Sequence, residues 1–148
     1  MRIALGSDHA GFELKDKLKQ HLEANGVTVD DKGTHSTASV DYPDYAQAVG
    51  NEVVSHQADC GILVCGSGIG MSIAANKIHG IRAALAHDEV GAQLSREHND
   101  ANVLALGARL LDEKTAFSIV DRWLGTPFPG GERHKHRIEK IEALEETN

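Results

Sequence analysis

Gly61-Ile62-Leu63-Val64-Cys65-Gly66-Ser67-Gly68-Ile69-Gly70-Met71-Ser72-Ile73-Ala74-Ala75-Asn76-Lys77 carries the clearest architectural signal in the chain. Its first part, Gly61–Cys65, shows little alternation of apolar and polar residues, which fits a strand buried on both faces. Glycines at alternate positions then let the backbone turn sharply and approach a ligand closely. The Met71–Ile78 segment that follows reads as a short helix. A strand feeding a helix through a glycine-rich turn is a building unit of parallel α/β sheets.

Outward from this unit the same alternation repeats. Short apolar runs at Ile3–Leu5, Val27–Val29, Ile81–Ala86 and Val103–Leu106 predict four more strands. Phe12, Leu14, Leu18 and Leu22 mark one face of a helix between the first two. Helical patterns also cover Tyr45–His56 and Asp88–His98, where Asp88 and Glu89 suit a helix N-terminus. Phe117, Val120, Trp123 and Leu124 share a face of a later helix, and Ile138, Ile141 and Leu144 mark a last one within Glu132–Glu146. The expectation is one Rossmann-like domain over residues 1–148, doubly wound, with three α/β/α layers around a five-stranded parallel sheet. Gly33–Pro43 is the longest candidate loop, and a loop of that length in such a domain is more often functional than idle.

Composition narrows the partners. The 148 residues carry 15 basic and 22 acidic side chains, a formal charge of −7, with 41% hydrophobic and 25% charged residues. Those fractions are globular and argue against disorder or a collagen-like chain. A net acidic protein is a poor nucleic-acid binder, so an anionic ligand would need positive charge gathered locally. No apolar run is long enough for a membrane span, and acidic and polar residues come too early in the N-terminus for a signal peptide. The expected location is the cytoplasm. Cys60 and Cys65 are too few for a disulfide scaffold. On one strand they would stand roughly 16 Å apart, too far to bridge.

Ligands of open parallel sheets sit at the carboxyl ends of the strands. The candidate positions are therefore Ser7–Gly11, Cys65–Gly70, His87-Asp88 and Gly107-Ala108-Arg109. The Gly66–Gly70 loop, with free amides and a helix dipole behind it, is an anion site or else a tight turn with glycines for packing alone. It is not a Walker A loop, because Gly70 is followed by Met71-Ser72. Counting from Gly66, Met71 also stands where a dinucleotide fingerprint needs its last glycine and where a cysteine phosphatase loop needs arginine.

Cys65, at the strand end before those amides, is a candidate thiolate nucleophile or base. Its plain alternative is a small buried apolar residue, and that alternative is preferred for Cys60. In a 2-1-3 strand order, Asp8 and His9 would lie beside Cys65 and Ser67 at the switch point and supply acid–base capacity. Asp8 could equally cap a helix. His98 could titrate near neutrality or simply close a helix. Nine histidines without His-Glu-x-x-His or Cys-x-x-Cys do not point to a metal. Arg133 and Arg137, four apart on a helix, suit a phosphate, although a solvated basic run is the commoner meaning of such a cluster.

Gly-Ser-Asp-His-Ala-Gly-Phe at 6–12, Asp-Tyr-Pro at 41–43, Cys-Gly-Ser-Gly-Ile-Gly-Met-Ser-Ile-Ala-Ala-Asn-Lys at 65–77 and Ser-Arg-Glu-His-Asn-Asp-Ala-Asn-Val-Leu at 95–104 occur in this order. Together they make the chain resemble, over essentially its whole length, the type B ribose 5-phosphate isomerases, grouped with galactose and allose 6-phosphate isomerases. The resemblance implies reversible aldose–ketose isomerisation of a phosphorylated sugar through an enediolate, with no metal and no organic cofactor. It implies that Cys65 is the base, that Ser67 assists proton transfer between oxygens, and that Asp8 and His98 help open the sugar ring. Tyr42 would contact the sugar. The backbone at Gly66, Gly68, Ile69 and Gly70, with Asn99, would hold the enediolate, and His9, Arg109, Arg133 and Arg137 the phosphate.

Some relatives place a Glu after the glycine loop as base. Here no acid appears from Met71 through Lys77, so the chain resembles the cysteine branch. The resemblance also implies a homodimer, or a dimer of dimers, whose C-terminal helix reaches the neighbouring site, so that Arg133 and Arg137 serve in trans. Competing readings are an allose or galactose 6-phosphate isomerase, a dinucleotide-binding oxidoreductase and a non-catalytic ligand-binding module. A receiver-type module is poorly supported, because Cys65-Gly66 and Leu106-Gly107 stand where it needs Asp and Lys.

Overall fold

Strands β1 (Arg2–Ser7), β2 (Thr28–Gly33), β3 (Cys60–Cys65), β4 (Ala83–Leu85) and β5 (Val103–Gly107) pair in parallel in the order β2-β1-β3-β5-β4. The computed structural model describes residues 1–146. Helices α1 (Phe12–Ala24), α2 (Tyr42–Val54), α3 (Ile69–Ala75), α4 (Glu89–Asn99), α5 (Glu113–Leu124) and α6 (Glu132–Glu145) complete the expected alternation.

The two faces of the sheet bury separate cores. Ile3, Leu5, Ile62, Val64, Leu104 and Leu106 point to one face and meet α1, α4 and α5. Ala4, Leu63, Val103 and Ala105 point to the other and meet α2 and α3. This side-to-side alternation within β1, β3 and β5 makes their apolar runs continuous in sequence. Trp123 of α5 is buried and donates its indole N–H to Ser95 Oγ of α4 at 3.1 Å.

The edge strands, unlike β3, are not buried on both sides. β2 extends through Asp30, Asp31 and Lys32 and is only half-buried, and β4 is three residues long and also half-buried. An edge strand has one neighbour, so outward positions accept charged residues. Lys32 bonds Glu52 of α2 at 3.0 Å. The loop after β2 is shorter than expected, because α2 starts at Tyr42 with Pro43 in its first turn. Proline is tolerated there because the first helical N–H groups have no intrahelical acceptor. No described helix is long and apolar enough to cross a membrane.

Candidate active site

At the carboxyl edge, β1 and β3 lie side by side, with Ser7 opposite Val64. The loop after β1 feeds α1 on one face while the loop after β3 feeds α3 on the other. The crevice between such diverging loops is the usual ligand position in open sheets. Asp8 and His9 on one side and Cys65 to Gly70 on the other line it.

Cys65 is 5% exposed, and the Gly68 amide donates to its Sγ at 3.2 Å. That bond fixes the sulfur at the start of the glycine loop. Gly68 can turn its amide this way because its φ is +78°, in the left-handed region. A side chain there would also collide with Leu85 and the Leu106–Gly107 backbone. Ser67 Oγ accepts from the Ile69 amide at 3.2 Å. At the far end of β3, burial first and the charge of Asp59 second push the Cys60 thiol up to about 12. Cys60 therefore stays protonated at neutral pH, in keeping with a packing role.

Two further side chains close over the loop. The β3–β5 ladder continues as Ala108 N donates to Cys65 O at 2.8 Å and Arg109 N to Gly66 O at 2.9 Å. This lays the Arg109 guanidinium against Gly66, with Nη1 3.1 Å from where a Cβ would stand. The Tyr42 ring covers Gly70 in the same way, 2.6 Å from the position of a Cβ. Gly70→Ala should therefore displace Tyr42, and kinetics on a substrate should show KM raised several-fold while the melting temperature changes little. An unchanged KM would remove Tyr42 from the binding surface.

Asp8 performs the local duty open to it: its carboxylate accepts from the Gly11 amide at 3.0 Å and shapes the turn into α1. His9 Nδ1 accepts from the Val40 amide at 3.2 Å, so the ring proton of neutral His9 sits on Nε2. Val40 escaped the sequence reading because its contribution is a backbone N–H, which leaves no mark in residue type. The 34–41 loop is thereby tied to the site, and its start is tied to β1 by Thr34 N donating to Ser7 O at 2.8 Å.

His98, Asn99, Arg133 and Arg137 stand elsewhere. α4 starts after the carboxyl end of β4 and returns across the face of the sheet, so its last residues reach the amino edge. There Gly61 N donates to Asn102 O at 3.0 Å, beside the start of β3. The five residue steps from Cys60 to Cys65 separate the two edges by roughly 16 Å. His98 stacks on His134 of α6, with ring centroids 4.5 Å apart and 11° between planes. His134 is held below the ordinary histidine range by partial burial, then by the positive charge of His98, Arg133 and Arg137. One chain thus assembles Asp8, His9, Tyr42, Cys65, Ser67, the glycine loop and Arg109 at one edge. It presents a second cluster, His98, Asn99, Arg133, His134 and Arg137, at the other.

A family model described as Ribose/Galactose Isomerase matches residues 3–141. The chain is 51% identical over 145 residues to ribose-5-phosphate isomerase B of Escherichia coli strain K12, covering 98% of this chain and 97% of that protein. Ribose-5-phosphate isomerase B of Clostridium thermocellum superposes with a TM-score of 0.98 at 49% identity, covering 99% of both chains. The enzyme of Mycoplasma genitalium, solved with bound ribulose-5-phosphate, superposes at 0.94 with 41% identity, covering 99% of this chain and 97% of that one. With a matching family model and close relatives along nearly its entire length, the chain belongs to the ribose/galactose isomerase family.

Proposed function

We propose that this protein interconverts ribose 5-phosphate and ribulose 5-phosphate, with Cys65 as the base. The observation that carries the reading is the Gly68 amide donating to Cys65 Sγ at 3.2 Å, in the glycine loop between β3 and α3. The Cys65 thiolate removes the proton from C2 of the open-chain aldose, and the electron pair moves to give a 1,2-enediolate with its charge on O1. Preorganised amides of Gly66–Gly70 stabilise that oxyanion as it forms. Ser67 passes the proton of O2 to O1, and the Cys65 thiol returns the first proton to C1. The product is the ketose, and the thiolate is regenerated.

Phosphate binding holds the chain so that C1 and C2 meet the sulfur. Neutral His9 offers Nε2–H, and Arg109 offers its guanidinium from above Gly66. The remaining groups come from a second copy. His98, Asn99, Arg133 and Arg137 lie roughly 16 Å from their own Cys65 along the strand direction, and in a homodimer they complete the partner's crevice. There His98 and Asp8 open the sugar ring, Asn99 joins the amides, and the arginines close on the phosphate. His98 and Asn99 thus serve in trans together with Arg133 and Arg137, in a cytoplasmic enzyme.

The test is incubation of the purified protein with ribose 5-phosphate, following ribulose 5-phosphate by NMR in deuterated water. Ketose should form without added metal or nicotinamide, with solvent deuterium entering at the transferred position to the extent that solvent reaches the thiol. Absence of ketose would overturn the proposal. Comparing kcat/KM for ribose 5-phosphate with the values for allose and galactose 6-phosphates decides between the pentose and hexose readings.

A further inference from the structure

We infer that Arg82 is the positioning residue of the half-site that each chain lends to its partner, an inference that rests on the shared-site reading above. Arg82 immediately precedes β4, and its backbone is locked into the sheet margin. Its N–H donates to Asn102 Oδ1 at 2.8 Å, and its carbonyl accepts from Asn102 N at 3.0 Å. From this fixed base the guanidinium divides between two elements. Toward α4, Nε donates to Asn99 O at 3.0 Å and Nη2 donates to Asp100 O at 3.0 Å. Toward α6, Nη1 donates to Glu142 Oε1 at 2.9 Å.

Each arm answers a physical need. The last carbonyls of a helix have no intrahelical donor, and at Asp100, with φ +45°, the chain leaves α4 in the left-handed region. Arg82 satisfies Asn99 and Asp100 there and so sets the angle at which His98 and Asn99 project. The second arm places α6, helped by Glu145 accepting from the Gly80 amide at 2.8 Å. Because a helix moves as a rigid unit, fixing α6 at Glu142 also sets where Arg133 and Arg137 stand. One guanidinium thus relates the groups assigned to ring opening and enediolate binding to those assigned to phosphate. A planar fork with five donors can do this, whereas a lysine cannot reach both elements with the same geometry.

Arg82→Ala should lower kcat/KM for ribose 5-phosphate on the order of 10²-fold, the cost of misplacing positioned groups by about 1 Å. The decisive measurement uses heterodimers isolated through two different tags, one chain Cys65→Ser and the other Arg82→Ala. One of the two sites then pairs an intact Cys65 with an intact lent half-site, so kcat/KM should recover to about half that of the unmodified dimer. A heterodimer no better than the Arg82→Ala homodimer, beside recovery in a Cys65→Ser/Arg137→Ala heterodimer, would overturn the role of Arg82 and leave the shared site standing. Failure of both heterodimers would overturn the shared site and the inference with it. An Arg82→Ala homodimer within twofold of normal activity would also overturn the inference. If Arg82→Ala does not fold, Arg82→Lys takes its place, with the same outcomes.

Discussion

Cys65→Ser should lower kcat by about 10²–10⁴-fold, the usual contribution of a positioned acid–base group, while the fold and substrate binding persist. A serine hydroxyl is nearly the size of a thiol and can accept the Gly68 hydrogen bond that Cys65 Sγ accepts at 3.2 Å. What it cannot do is replace the thiol as base, since an alcohol gives up its proton far less readily than a thiol. The expected signature is a lost kcat with KM, melting temperature and phosphate affinity little changed. Deuterium exchange from solvent into the substrate should disappear together with turnover. Full activity in the variant would remove Cys65 as the base. Cys60→Ser serves as the contrast: that thiol, pushed up to about 12 by burial, should be dispensable for chemistry.

Asp31→Asn should destabilise the protein by about 3 kcal/mol, the lower part of the range for breaking a buried ion pair. Lys15 lies on α1 with its side chain fully buried, and both Asp31 carboxylate oxygens accept from its Nζ, at 2.7 and 2.8 Å. Asp16 at 3.5 Å is half in solvent and compensates only in part. For a domain of this size the fall in Tm should be on the order of 10 °C. Replacing both members, Lys15→Met with Asp31→Leu, should recover much of that loss, because no buried charge is then left unpaired. A single variant as stable as the parent would mean that Lys15 finds water or another partner.

The same pair sets an acid limit. Burial raises the Asp31 carboxyl, but the Lys15 hydrogen bond, the Gly33 amide and neighbouring positive charge outweigh it and hold the group below the usual carboxylate range. A depressed folded-state pKa contributes stability that is present above the unfolded value and is lost as pH falls through the folded one. Thermal melts should therefore show an acid limb below the ordinary Asp range that flattens in Asp31→Asn. Asp31 also accepts from the Gly33 amide at 2.9 Å. Gly33 begins the connection that reaches Val40 and His9, so the variant should raise KM as well as lower Tm.

Much of the fold was legible because its signals are local. The apolar runs of β1, β3 and β5 are continuous for strands covered on both faces, and the Gly66–Gly70 turn marks a strand passing into a helix. The apolar run Val27–Val29 falls four residues short of the carboxyl end of β2 at Gly33, and the reason is physical. Its Asp30, Asp31 and Lys32 are charges that an edge strand accommodates through Lys15 and Glu52, and apolar periodicity does not register them. The separation of His98 and Asn99 from Cys65 left a usable signal. A helix returning between two parallel strands must end at the amino edge, so the predicted helix at Asp88–His98 already implied the far side of the sheet.

The parallel α/β alternation, the glycine loop with Cys65 at its mouth, and the motifs that carry the family are all readable along the chain. All of these depend on residues adjacent in the chain. The β3-β5-β4 order, the burial of Lys15 against Asp31, the Val40 amide on His9, and the division of the site residues between two edges of the sheet emerge only when the chain is folded. Those features are contacts between segments 16 or more residues apart. They are made by backbone groups and flexible charged side chains whose partners are set by topology, and topology leaves no periodic trace along the chain.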